Sequence, residues 1–331
     1  MHMRPLGRTG LSVSVLGFGC GAVGGLMVRG TEADRERAVA MALEAGVNYF
    51  DTAPQYGDGV SETHLGQVLA KLKPDVRVGT KVRLADADRT DIAAAVTASL
   101  EASLRRLGRD HVDLFQLHNP ITDVDAPGTL AATRVLDEVV PAFERLVAAG
   151  KTRFFGITAI GETPSVLRVV DSGRMFTGQV SYNLLNPSAG YPLPSGFPAQ
   201  DYQLLLHRMA TAGMGAIGIR ALAGGALSGD AVRHAIASPP PAPIGSAQSY
   251  DADLARARRF APLVAEGHAA SLAEAALRFV IAQPALGTAL IGIATVEQFA
   301  AALAAVAKGP LSAAALERTA ALWAGFAGEA R

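Results

Sequence analysis

The chain has 331 residues, half of them apolar, with 30 Lys plus Arg balanced by 30 Asp plus Glu. That length suits one α/β barrel, for which about 250 residues is typical and insertions add more. The charge balance leaves no basic excess for nucleic acid and no acidic tail, and a lone Cys20 excludes an internal disulfide.

Cys20 reads as a buried, inert thiol in a reducing compartment. The N-terminus has no signal-like apolar run. Apolar stretches such as 216–227 fall short of the roughly 20 residues that span a bilayer. A soluble, cytoplasmic protein with no membrane or nucleic-acid partner is expected.

Short β-branched runs alternate with helical segments along the chain. Residues 16–19 form a Gly-punctuated strand. The next helix spans 32–45, with Thr31 as its cap and Gly46 at its end. Strand 47–51 follows, then a helix capped by Ser61 and running to about 71. Strand 76–81, helix 91–106, strand 112–118 and helix 133–149 come next. Strand 152–157, helix 164–170, a sixth strand containing 179–182, and helix 202–212 continue the pattern. Strand 214–219, helix 271–282 and a last strand containing 289–291 complete it, with closing helices at 296–307 and 312–326.

Eight strands separated by single helices predict a closed, parallel (β/α)8 TIM barrel, one domain over residues 1–331, with extra C-terminal helices. Two Pro-, Gly- and Ser-rich insertions, 186–199 and 223 to about 252, follow strands and should sit at the C-terminal face. Segment 238–245 reads equally as a mobile lid or a plain loop.

Four polar residues stand where strands stop. Asp51 ends the second strand, with Tyr56 in the following loop; Lys81 ends the third and His118 the fourth. Adjacent strand ends of a barrel converge, so these side chains should meet at the mouth. A hydride reaching a carbonyl carbon leaves negative charge on oxygen, and tyrosine can supply the proton. Its reference pKa near ~10 is high for that task. The Lys81 ammonium would lower it, Asp51 would hold Lys81, and His118 could hydrogen-bond the carbonyl oxygen. Singly, each residue reads more readily as a turn, a solvated cation or a structural histidine. Together, on consecutive units, they are far more specific.

Here a resemblance becomes definite. Gly46-Val47-Asn48-Tyr49-Phe50-Asp51-Thr52-Ala53-Pro54-Gln55-Tyr56-Gly57, with Ser61-Glu62-Thr63-His64-Leu65-Gly66, resembles the first signature of the aldo-keto reductase family. Val78-Gly79-Thr80-Lys81 resembles its lysine strand, and Asp113-Leu114-Phe115-Gln116-Leu117-His118-Asn119-Pro120 its histidine strand. Leu6-Gly7-Arg8-Thr9-Gly10 is similar to its opening hairpin. The resemblance implies Tyr56 as acid/base, supported by Lys81, Asp51 and His118. It also implies an NADP(H) lying across the barrel mouth, with NAD(H) the alternative.

By the same resemblance the nicotinamide amide is held by Thr158 and Gln179. Thr158 stands in place of the family's Ser, and Ala159 in place of its Asn, for which Asn183 is a substitute. The seventh strand departs further: Ile219 could pack on the ring, and Arg220 could lie against it, pair with pyrophosphate, or pair with a strand-end carboxylate. Leu222 and Gly224 continue that cofactor loop. The adenosine phosphate would sit past Gly292, on Thr295 and Gln298 at a helix N-terminus. The usual basic residue is absent there, and Ala301 and Ala302 replace an adenine-contacting Glu-Asn pair. Substrate would meet Val23 within 21–28, Gln55, 82–88, Asn119 within 119–125 and the two insertions, with Tyr191, Phe197 and Tyr250 as aromatic candidates.

The function expected is reduction of an aldehyde or ketone, or oxidation of the matching alcohol, by a monomer or small homo-oligomer. The seven His show no metal-ligand spacing, so no metal is expected. A Schiff-base aldolase could use Lys81, but the spacing of Asp51 and Tyr56 argues against it. A non-catalytic, nucleotide-binding barrel that regulates a partner is the alternative from another class.

Overall fold

The computed structural model describes residues 1–229, 232–242 and 249–329. An antiparallel hairpin, β1 (Met3–Pro5) and β2 (Ser12–Ser14), leads into β3 (Leu16–Gly19). Then come α1 (Leu26–Arg29), α2 (Glu32–Glu44), β4 (Tyr49–Asp51), α3 (Val60–Leu72), β5 (Arg77–Val82), α4 (Ile92–Leu107) and β6 (Val112–Leu117). A small pair, β7 (Ile121–Thr122) and β8 (Leu130–Ala131), precedes α5 (Ala132–Arg134), which passes through a π-helical turn, Val135–Val139, into α6 (Val140–Ala148). The rest is β9 (Thr152–Thr158), α7 (Thr163–Asp171), β10 (Thr177–Ser181), α8 (Leu205–Thr211), β11 (Gly215–Ile219), α9 (Tyr250–Arg258), α10 (Pro262–Ala265), α11 (Leu272–Ala282), β12 (Leu286–Gly292), α12 (Val296–Ala307) and α13 (Ala313–Ala324).

Strands β3, β4, β5, β6, β9, β10, β11 and β12 pair in that order, and β12 pairs with β3 to close the barrel. The expected TIM barrel is therefore the fold. Side chains alternate along each strand, so one parity faces the helices and the other the barrel axis. The outward set, including Phe50, Phe115, Leu117, Phe155 and Ile157, packs against the helices. The inward set splits by depth. Tyr49, Leu114, Ile217 and Leu290 fill the lower half together with Leu6, Leu11 and Val13 of the hairpin region. Arg8 fixes that plug by donating to the carbonyls of Ala212, Gly173 and Met175. The upper half holds the polar strand ends, so the bottom is sealed and the top is open.

Local starts differ in places. α3 is entered through Gly59 (φ 84°), not capped by Ser61, whose hydroxyl donates to Cys20 O at 2.9 Å. Asp91, expected as the first helical residue, instead caps α4 by accepting from Ala94 N. Thr31 caps α2 as expected. Helix α8 starts only at Leu205, later than expected. The first insertion, 186–199, turns away from the mouth. Asn186 and Ser188 tie it to Gln200 O, Tyr191 stacks 5.3 Å from Trp323, and Phe197 meets Phe326 edge-on at 5.9 Å. Its aromatics found apolar partners on and just beyond α13, so they do not wall the mouth. Of the second insertion, 223–229, 232–242 and 249–252 are described; the expected lid 238–245 lies partly outside the described residues.

Candidate active site

The parity that fills the barrel also delivers the site. On β4, Tyr49 and Asp51 point inward; on β5, Gly79 and Lys81; on β6, Leu114, Gln116 and His118 follow the same rule. Lys81 is fully buried and Asp51 nearly so, and they form an ion pair. Lys81 Nζ also donates to Thr52 O at 2.8 Å. The other Asp51 oxygen accepts from Tyr49 OH (3.0 Å) and Gln179 Nε2 (2.6 Å). Tyr56 lies beside this network, its ring centre 4.9 Å from Lys81 Nζ, and the His118 ring meets it edge-on at 6.1 Å. The four residues expected to converge do so.

Burial dominates the electrostatics. It pushes the Tyr56 phenol up; Lys81 pulls it down, and burial wins. Lys81 lowers the Tyr56 pKa as expected, but in the free protein the desolvated ring and the nearby Asp51 charge outweigh it. Burial works against the Lys81 ammonium too, but Asp51 and Tyr56 outweigh it and raise its pKa. His118 is driven down to about 3 by burial and by the charges of Lys81, Arg83 and Arg220, so its imidazole is neutral at pH 7. His118 Nδ1 lies 3.4 Å from Gln55 Oε1. As placed, Nδ1 donates to that oxygen; with the Gln55 amide turned over, its N–H would donate to Nδ1 and Nε2 would carry the imidazole proton.

A cleft of about 720 Å³ opens over this wall, within the range of about 300–1,000 Å³ usual for small-molecule sites. Asp51, Tyr56, His118, Thr158, Gln179, Ile219, Arg220, Leu222, Gly224, Gly292, Gln298 and Val23 all line it. Thr158 Oγ1 is buried and has no hydrogen-bond partner. Asn183 lines the cleft, but its amide donates to Arg220 O (3.1 Å) and its oxygen accepts from Leu185 N and Asn186 N. It is thus committed locally, not held free as a substitute amide. Arg220 makes no ion pair with a strand-end carboxylate among the described residues.

Three expected residues lie elsewhere or are otherwise engaged. Asn119 is buried outside the cleft, where it pairs with Leu84 N and O at 2.8 Å and fixes the loop after β5. Thr295 is the N-cap of α12, accepting from Gln298 N, while Gln298 Oε1 accepts from Ala294 N. Gln55 is exposed on the rim, beside His118 but not in the cleft wall. Segments 82–88 and 119–125 do not line the cleft either.

The described part of the second insertion crosses the mouth as a strap. Arg29 donates to Ile236 O and to Ala22 O (2.6 Å), and Ser238 N donates to Val23 O. Arg233 donates to the carbonyls of Gly224, Ser238 and Val23. Beneath it Gly224 and Gly225 turn with φ 68° and 111°; a Cβ on Gly224 would stand 2.6 Å from the Pro241 ring. Arg233, Ile160, Ser271, Glu274 and Leu277 line the cleft without having been foreseen. Arg233 sits in an aperiodic insertion, where no pattern marks an inward face. Tyr250, foreseen as an aromatic candidate, does line it. Among the described residues no group of three or more His, Cys, Asp or Glu could hold a metal ion, and no helix is long and apolar enough to cross a membrane.

A model of the aldo/keto reductase family matches residues 15–324. The chain is 37% identical over 163 residues to L-galactose dehydrogenase of Arabidopsis thaliana, a match covering 48% of this chain and about half (49%) of that relative's length. It is 28% identical over 309 residues to an uncharacterised oxidoreductase of Bacillus subtilis, covering 90% of this chain and 89% of the relative. NADH-specific methylglyoxal reductase of Escherichia coli is 27% identical over 56% of this chain and 60% of its own length. Among solved structures, an aldo-keto reductase of Bacillus halodurans in its holo form superposes with a TM-score of 0.70 at 26% identity, covering 97% of this chain and 96% of that one.

Proposed function

The chain belongs to the aldo/keto reductase family, and from that premise we propose that it moves a hydride between a nicotinamide dinucleotide and an aldehyde or ketone, or the matching alcohol, with Tyr56 as proton donor or acceptor. The observation that carries this reading is the meeting of Asp51, Lys81, Tyr56 and His118 on one wall of the cleft. The Lys81 ammonium beside Tyr56 stabilises the phenolate left after proton donation. Asp51, held by three donors, keeps Lys81 charged and in place. Neutral His118 can donate a hydrogen bond to the carbonyl oxygen without competing for its proton.

The residues present suit a nicotinamide dinucleotide. Thr158 offers an unpaired hydroxyl, and Gln179 stands beside it on the neighbouring strand. Arg233, with no carboxylate partner among the described residues, and the tight Gly224-Gly225 turn suit the pyrophosphate, while Ile219 and Leu222 give an apolar wall. Such a cofactor supplies the hydride; these side chains bind and orient it and exclude water.

The resemblance favours NADP(H). The start of α12 suits NAD(H) better. Thr295 is committed as a cap, and Gln298 turns its oxygen to Ala294 N. The cations Arg37 and Lys308 pair with Glu297 and Glu274 at 3.1 and 2.6 Å. A 2′-phosphate would find backbone N–H groups there and no unpaired cation among the described residues.

The test is titration with NADPH and NADH, followed by turnover on a carbonyl panel with wild type and Tyr56→Phe. We expect NADH to bind at least as tightly as NADPH. Tyr56→Phe should lose about 10²- to 10⁴-fold in turnover while still binding nucleotide. Failure of both nucleotides to bind would remove the reductase reading, and full activity in Tyr56→Phe would remove the role of Tyr56.

A further inference from the structure

Around His118 stand three cations with unequal partners. Lys81 is neutralised by Asp51. Arg220 and Arg83 have no ion pair and no side-chain hydrogen bond among the described residues. Arg220 lines the cleft, half-buried, and its charge acts on both Tyr56 and His118. Arg83 is exposed, two residues beyond Lys81 and outside the cleft wall, and its charge also acts on His118. The acids after β5 and β6 do not neutralise this pair, because they hold other partners. Asp86 pairs with Arg89, Asp123 with Arg168, and Asp125 with Arg134.

The backbone holds Arg220 in a sparsely populated conformation. Its φ is 61°, in the left-handed region that disfavours a side chain. Two hydrogen bonds to its carbonyl maintain this, from Asn183 Nδ2 at 3.1 Å and Ala223 N at 2.8 Å. Strain retained at one residue with an unpartnered charge facing a cleft is a mark of function. A desolvated guanidinium without a carboxylate is costly in the free protein, and a ligand anion would offset that cost.

We propose that Arg220 binds a carboxylate on the substrate, so that the preferred carbonyl compounds are acids: aldehydes or ketones carrying a carboxylate near the reacting carbon. This rests on the reductase reading for the reaction, but the binding itself does not require turnover. Arg220 lines the same cleft as Tyr56 and His118 and holds no carboxylate among the described residues, whereas the Arg233 guanidinium is held by Gly224 O under the strap, which favours substrate over cofactor pyrophosphate as the anion at Arg220.

The experiment has a binding arm and a turnover arm. In the first, benzoate and benzamide are titrated by calorimetry into the protein, with and without NADH. Benzoate should bind at least about tenfold tighter, as a charge-assisted hydrogen bond allows. The preference should vanish in Arg220→Met and survive in part in Arg220→Lys. Equal binding of the two probes, binding of neither, or a preference unchanged in Arg220→Met would overturn the proposal. Weakened NADH binding in Arg220→Met with the benzoate preference intact would assign Arg220 to the cofactor instead. In the second arm, kcat/KM for 4-carboxybenzaldehyde is divided by that for benzaldehyde. The ratio should exceed one in wild type and collapse in Arg220→Met. No turnover of either aldehyde alongside selective benzoate binding would count against the reductase reading and leave the anion site standing.

Discussion

Tyr56 and His118 sit against each other, yet burial moves their pKa values in opposite directions, and that fixes which proton is available. The Tyr56 phenol is raised above its ordinary value, so it stays protonated through neutral pH. His118 titrates at about 3 and is neutral over the same range. Reduction needs a protonated donor, so kcat/KM for reduction should be flat from about pH 6 to about pH 9, with no limb at the ordinary histidine value near ~6.5. Alcohol oxidation needs the phenolate, so its rate should climb as pH rises. A falling limb for reduction near pH ~6.5 would instead give His118 a titrating role. The same network makes a stability prediction. In Asp51→Asn the buried Lys81 ammonium loses its counter-charge, and breaking such a pair costs about 3–5 kcal/mol. Urea unfolding should show that loss as a lower midpoint; an unchanged midpoint would mean the buried lysine had shed its proton. The four polar strand ends were legible because strand parity and barrel convergence leave them one place to go. Asn119, Thr295 and Asn183 were not, because an amide or hydroxyl that closes a local backbone hydrogen bond looks identical, in sequence, to one that faces a ligand.

Elements were legible in proportion to their periodicity. The eight barrel strands and α12 were recovered because apolar spacing and Gly junctions both mark them. Short α1, and α9 beginning inside the second insertion, carry no such signal, and the strap's path depends on Arg29 and Arg233 meeting backbone carbonyls far away in sequence. Helix α12 offers the cleanest separation of element from site. Thr295 caps it, so Thr295→Ala should cost about 1 kcal/mol of stability, and its effect on NADPH and NADH affinity should be equal and small. A selective loss of NADPH affinity in that variant would show the hydroxyl serving a phosphate. The strap has its own expectation. Removing the Arg233 guanidinium frees three carbonyls that now join the loop after β3 to the loop after β11. Arg233→Ala should therefore release nucleotide faster in stopped-flow fluorescence, and an unchanged release rate would make the strap a passive surface loop.

At the scale of the molecule, closure distributes responsibility. Pairing of β12 with β3 leaves the barrel without an edge, the hairpin seals its lower end, and α13 lays a last apolar face over the aromatics beside β10. The sole tryptophan, Trp323, lies in that last layer. It is buried, its indole N–H donates to Leu184 O at 2.8 Å, and it packs on Tyr191 and Phe279, the latter stacked on Tyr182. Leu184 follows β10 closely and lies within the turn, closed by Asn183, that holds the Arg220 carbonyl. To free Trp323 the chain must give up contacts with α11, the first insertion and the end of a barrel strand together. Its emission and the far-UV circular dichroism should therefore change at the same denaturant concentration. Trp323→Ala should lower stability by about 3–5 kcal/mol through the cavity it leaves. An emission change at lower denaturant than the dichroism would mean that α13 opens as a separate unit over an intact barrel. In that case the same partial opening should loosen Asn183, and with it Arg220, before the Asp51–Lys81 pair is disturbed, so ligand binding would be lost ahead of the fold.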